Sequence, residues 1–137
     1  MGFSKVDNSF WYDSKVENWD QQTKYFALYL LTNQHNNSEG FYKLPVAYIS
    51  FDLNLTADRI KVMLQKLEQD DFISYDYQNS IILINKGLKY NSVKNKNQRQ
   101  TAYNKINNLR QSSLFPQFIK QAELYDKRFA KYLKERG

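Results

Sequence analysis

The side chains of this 137-residue chain best placed to act on another molecule are cations, and they are spaced one-sidedly. Between Asp76 and Glu123 stand Lys86, Lys89, Lys94, Lys96, Arg99, Lys105, Arg110 and Lys120, with no carboxylate among them. Residues 1–76 hold seven Lys or Arg against eleven Asp or Glu, a net −4, whereas residues 77–137 hold thirteen against three, a net +10. A one-sign stretch attracts polyanions, because each Lys or Arg that neutralises a phosphate releases condensed counterions. The plain alternative is a solvated basic helix face. Chance alone would have placed carboxylates on such a face, so nucleic-acid contact is the preferred reading.

Nucleophilic, acid–base and metal chemistry find no comparable grouping. His35 is the only histidine and lies in a polar loop, so no histidine pair can be built. The absence of cysteine removes disulfides, thiolate nucleophiles and cysteine-ligated zinc, and suits a reducing compartment. None of the four glycines opens a Gly-Lys-Ser/Thr phosphate loop. Asp70 and Asp71 adjoin at a helix end, where a helix-to-strand turn uses such residues, and a metal pair there would need more ligands. The expectation is a non-enzyme with no catalytic residue, no metal ligands and no cofactor.

The elements that must position the cations are legible in the apolar spacing. Asp20 suits an N-cap for a first helix over residues 21–32, whose centre, Tyr25 to Leu31, is apolar nearly all round. That run is far shorter than the ~20 residues of a membrane span, and the polar N-terminus has no signal-peptide core, so a cytoplasmic protein is expected. Residues 33–39 and Gly40 form a loop, 41–44 a short strand, and Pro45 opens a second helix through Val46, Ile49 and Leu53. Asn54 and Leu55 make a tight turn. Thr56 caps a third helix, with Ile60, Met63, Leu64 and Leu67 at i, i+3, i+4 and i+7. Residues 72–77 and 80–84 are β-prone and separated by Gln78 and Asn79, which predicts a hairpin.

Strand, helix-turn-helix and hairpin in this order predict an α+β winged helix-turn-helix domain over residues 1–91, followed by a basic helical extension over 92–137. A linker is expected near 91–98, with helical spacing resuming at Tyr103, Ile106 and Leu109. A last segment from Pro116 sets Phe118, Ile119, Ala122, Tyr125, Phe129 and Leu133 on one face, with Lys120, Lys127, Arg128, Lys131 and Lys134 largely elsewhere. That stripe needs a partner surface, either the winged domain or a second copy. The cluster Phe10, Trp11 and Tyr12 is expected to pack onto the domain. Heavy use of Asn, Lys, Tyr and Ile suits AT-rich codons and hence a low-GC bacterium or one of its mobile elements.

Several stretches carry a family resemblance. They are Phe10-Trp11 followed by Asp13; Tyr29-Leu30-Leu31-Thr32-Asn33 followed by Gly40-Phe41-Tyr42; Leu53-Asn54-Leu55-Thr56; Leu64 to Leu67 leading through Asp70-Asp71 into Phe72-Ile73; and Ile82-Leu83-Ile84-Asn85 running into Leu88-Lys89-Tyr90-Asn91. Over roughly residues 10–115 the chain resembles the N-terminal winged-helix domain of phage replisome organisers, related to DnaD-like replication initiation proteins. The resemblance implies binding of origin DNA or scaffolding of helicase loading, together with homo-oligomerisation and contact with host replication proteins.

On this reading the third helix faces DNA with the side chains opposite its buried stripe: Arg59, Lys61, Gln65 and Lys66, with Val62 among them and Asp58 opposing at the start. Gln78 and Asn79 stand at the hairpin tip. Lys86, Lys89, Lys94, Lys96, Arg99, Lys105 and Arg110 are the expected phosphate contacts, positioning without specifying sequence. Tyr90 and Tyr103 lie among them and could stack on unpaired bases, although duplex DNA is preferred to single strands. Tyr25, Phe26, Tyr29, Phe118, Tyr125 and Phe129 are the expected oligomer contacts. Two alternatives stay open, a protein-interaction module that binds replication proteins and a winged-helix transcriptional regulator.

Overall fold

The structure is a computed structural model that describes residues 6–37, 39–90 and 95–136. Among these residues the fold is α+β, with eight helices and one three-stranded antiparallel sheet, an arrangement compatible with a winged helix.

Local capping chemistry sets the first elements. Asp7 accepts from the Ser9 N–H to open a 3-10 turn at Asn8–Tyr12, and Asp13 accepts from the Lys15 N–H to open α1 (Ser14–Glu17), each at 2.8 Å. Phe10 is buried edge-on to Phe72, but Trp11 and Tyr12 are exposed. A single turn of helix can aim only one of three successive side chains at the core, so the expectation that the whole trio packs down is corrected. Trp19 supplies the missing aromatic bulk. Its ring meets Phe72 edge-on, and its indole N–H donates to Asp70 at 2.6 Å.

Asp20 accepts from the Thr23 N–H at 2.8 Å and begins α2 (Gln21–Thr32), the range its sequence predicts. Thr23, Phe26, Ala27 and Leu30 make its buried face. Gly40 then adopts φ +71°, and a Cβ there would stand 3.1 Å from that of Ile84, so a side chain at this position meets both strain and a neighbour. β1 (Phe41–Lys43) and α3 (Val46–Leu53) follow. Asn54, at φ 55° in the left-handed region, turns the chain, and the Thr56 hydroxyl accepts from the Arg59 N–H at 3.2 Å to open α4 (Ala57–Gln69). All four stripe residues of α4 are buried.

β2 (Ile73–Asp76) and β3 (Ile81–Ile84) complete a sheet in the order β1-β3-β2. The central strand is buried along its whole length, and strand alternation divides its side chains between two cores. Ile82 and Ile84 pack with Phe26, Leu30, Ile60 and Leu64 on one face of the sheet. Ile81 and Leu83 pack with Phe41, Ile106, Phe118 and Phe129 on the other.

That second face is covered by α6 (Lys96–Asn107), α7 (Phe115–Tyr125) and α8 (Lys127–Arg136), reached through the short α5 (Gly87–Tyr90). Of the two surfaces left open for the C-terminal stripe, it takes the sheet. α6 starts at Lys96, capped by Asn95 accepting from the Gln98 N–H at 2.9 Å, earlier than the apolar spacing from Tyr103 indicates, because its first turns are wholly polar. The last segment is two helices rather than one. The chain breaks at Asp126 (φ −153°, ψ 76°), whose carboxylate accepts from the Phe129 N–H at 3.3 Å. No helix among the described residues is long and apolar enough to cross a membrane.

Candidate nucleic-acid interface

Burial of the α4 stripe turns Asp58, Lys61, Val62, Gln65 and Gln69 outward, all exposed. The edges of the helix are occupied by neighbours. Arg59 donates to the side-chain oxygen of Gln22 on α2, and Arg59 and Lys66 both stand near Asp20. Hydrogen bonds from Thr23, aided by Lys66 and Arg59, outweigh desolvation and hold the Asp20 carboxyl below its usual range. On the other edge Glu68 accepts from the Tyr77 hydroxyl at 2.7 Å, and burial together with that carboxylate pushes the phenol up. Lys61, Val62 and Gln65 remain as the open centre of the face.

The hairpin turn is built around a buried carboxylate. Asp76 accepts from the backbone N–H groups of Gln78 and Asn79 at 3.1 Å each, from the Asn79 amide at 2.9 Å and from the Ser112 hydroxyl at 2.8 Å. Burial pushes this carboxyl up, but its four hydrogen bonds outweigh that and hold it below the ordinary value. The Asn79 side chain thus serves the turn, although it is exposed like Gln78 beside it at the tip. The Leu44 N–H donates to the Ser80 carbonyl at 2.8 Å and the Tyr75 hydroxyl to the Leu44 carbonyl at 2.6 Å, so the tip lies beside the start of α3.

The expected phosphate contacts are dispersed. Lys86 and Lys89 follow β3 at the end remote from the tip, about 13 Å along the strand, and Lys86 borders an apolar cleft lined by Val6, Phe10, Leu31 and Phe72. Lys96 and Lys105 are exposed on α6 but lie nine residues apart, which turns them to opposite sides of the helix. Arg99 is half-buried. Lys94 and the Tyr90 side chain lie outside the described residues.

Arg110, half-buried, is engaged within the chain. Its guanidinium donates to the Asn107 side chain and, at 3.1 Å, to the Leu133 carbonyl, and it sits 5.7 Å from the Tyr103 ring and 5.1 Å from that of Phe115. Tyr103 is likewise engaged, packed edge-on against Tyr132 with its hydroxyl donating to the Arg136 carbonyl at 3.3 Å.

The apolar set expected at an oligomer interface is mostly internal. Phe26, Phe118 and Phe129 are wholly buried within the chain, so these three present nothing to a second copy. Tyr29 and Tyr125 are half-buried, and the Tyr29 hydroxyl donates to Asp52 at 2.6 Å; Tyr25 alone of the six is exposed. Two surfaces went unassigned. Phe51 is 87% exposed on α3, beside Tyr48, and Lys127, Arg128 and Lys131 stand exposed on α8. Their position off the C-terminal apolar stripe was the available signal for the α8 cations. A half-apolar second helix gave no signal for Phe51.

Among the described residues no three His, Cys, Asp or Glu side chains are grouped to hold a metal ion. No family model matches the chain, and no curated protein or solved structure matches it either.

Proposed function

We propose that the chain is a winged helix-turn-helix module that binds duplex DNA, serving replication initiation in the manner of the replisome organisers its sequence resembles. One observation carries the reading: the order α2, β1, α3, α4, β2, β3, with β3 central in the sheet and α4 turning a polar, exposed face outward. In this reading α4 enters the major groove, where the Gln65 amide suits an adenine edge and Lys61 a guanine or phosphate. The β2–β3 turn is the wing, with Gln78 at its tip. Lys86 and Lys89, exposed beyond the other end of β3, supply backbone contacts that fix position and add to the salt dependence.

A second reading, a protein-docking module, is favoured by Phe51 and Tyr48, exposed aromatics on α3, a helix that has no Lys or Arg, and by Tyr25, exposed on α2. Anisotropy titrations of a labelled duplex across salt concentrations separate the two. The DNA reading expects a steep salt slope, shallower by about 2 in log–log terms in Lys86→Gln/Lys89→Gln, with Phe51→Ser leaving affinity unchanged. Weak binding with a flat slope in both proteins sinks it.

A further inference from the structure

The cations of this molecule occupy both sides of its sheet. α4 packs on the face that Ile82 and Ile84 serve. α8 lies on the other side, reached from the sheet through Phe41 stacked on Phe118 at 4.9 Å and Phe118 edge-on to Phe129 at 6.2 Å. α4 and α8 thus serve separate cores on opposite faces of the sheet. A duplex laid against the α4 face leaves the α8 side of the molecule to other contacts.

The first turn of α8 carries cations that the stability of the helix does not call for. Lys127 and Arg128 fall in its first turn, where the helix dipole favours carboxylates, and add to the positive field there. Lys131 follows one turn later, a rise of about 6 Å, comparable to one or two phosphate steps along a DNA strand. Three carboxylates stand near these cations: Asp126 caps the helix through the Phe129 N–H at 3.3 Å, Glu123 pairs with Lys134 at 3.1 Å, and Glu135 meets Lys131 at 3.8 Å with both side chains open to solvent, a pair worth little. The second side of the molecule therefore offers a polyanion surface that the α4 reading does not use.

We infer that Lys127, Arg128 and Lys131 hold the backbone of a second duplex, so that one copy of the chain bridges two DNA segments. This rests on the proposal that the α4 side binds duplex DNA. The test is capture of a free labelled duplex by an unlabelled duplex tethered to beads, with the full-length protein. The comparison variant is Lys127→Gln/Arg128→Gln/Lys131→Gln, and a second, Lys127→Arg/Lys131→Arg, keeps the charge. Light scattering follows the oligomeric state of each, and circular dichroism its helicity.

The expected result is capture by the native protein, reduced at least tenfold in the glutamine variant and kept in the arginine variant. Affinity for a single duplex should fall far less, and the oligomeric state should not change. Binding of single duplexes without capture overturns the inference and leaves the DNA reading standing. So does capture that the glutamine variant retains, or whose loss accompanies a loss of self-association. Failure to bind any duplex overturns both.

Discussion

Asp76 is the residue on which most of the local order converges. It joins the hairpin turn to Ser112, 36 positions away, and its ionised form is the one that accepts all four hydrogen bonds. Because its carboxyl lies below the ordinary value of 3.8 when folded, the stability it contributes is complete above about pH 5 and is lost as the pH falls through that ordinary value toward the lower, folded one. Melting curves between pH 3 and 7 should therefore show a flatter acid limb for Asp76→Asn than for the native chain. Equal limbs would mean that another group dominates. Ser112→Ala should cost about 1–2 kcal/mol at neutral pH, since it withdraws a donor from a buried carboxylate. Denaturant titration reads that directly.

The elements divide into those the sequence announces and those it conceals. α4 is announced twice, by Thr56 at its N-cap and by a four-residue apolar stripe. Thr56→Ala should lower stability by about 1 kcal/mol, a drop of roughly 3–5 °C in Tm. The hairpin is announced by two β-prone runs with Gln78 and Asn79 between them. The first turns of α6 are concealed because helix formation there rests on Asn95 and on packing further along, not on apolar periodicity. The break at Asp126 is concealed because the stripe on its two sides continues into one core. Of the candidate site, the outward face of α4 follows from the stripe opposite. The fate of Arg110 does not, since only the folded chain brings Leu133, Tyr103 and Phe115 around a cation that the sequence places in a basic run.

At the scale of the molecule, the helices α6, α7 and α8 are a structural layer as well as a source of charge. Phe41, Ile81, Leu83 and Leu88 are buried against them. A chain ending at Asn91 would leave that face of the sheet bare, and we expect it to aggregate or to lose cooperative melting, which sedimentation and calorimetry would reveal. A soluble, cooperatively melting 1–91 fragment would show that the first layer suffices. Phe118→Ala tests the same layer more gently, and should cost about 3–5 kcal/mol in denaturant titration, because the ring is fully buried. The sequence does hold a clue to this layer. Ile81 to Ile84 are four aliphatic residues in a row, a pattern proper to a strand buried on both faces.

That same unbroken run removes a safeguard that most strands possess. In a one-faced strand, sliding by one position throws every apolar side chain into water, and the error is self-correcting. A slipped β3 would still offer aliphatic side chains to both cores, so hydrophobicity alone does not choose between alignments. The choice falls to polar and steric stops at the two ends of the strand: the Asp76 turn at one, and at the other Gly40 against Ile84 and the Asn85 amide donating to the Asp71 carbonyl at 3.0 Å. Damage to both stops should therefore produce not an unfolded chain but a compact one with mixed strand alignments, visible as doubled amide resonances for residues 81–84.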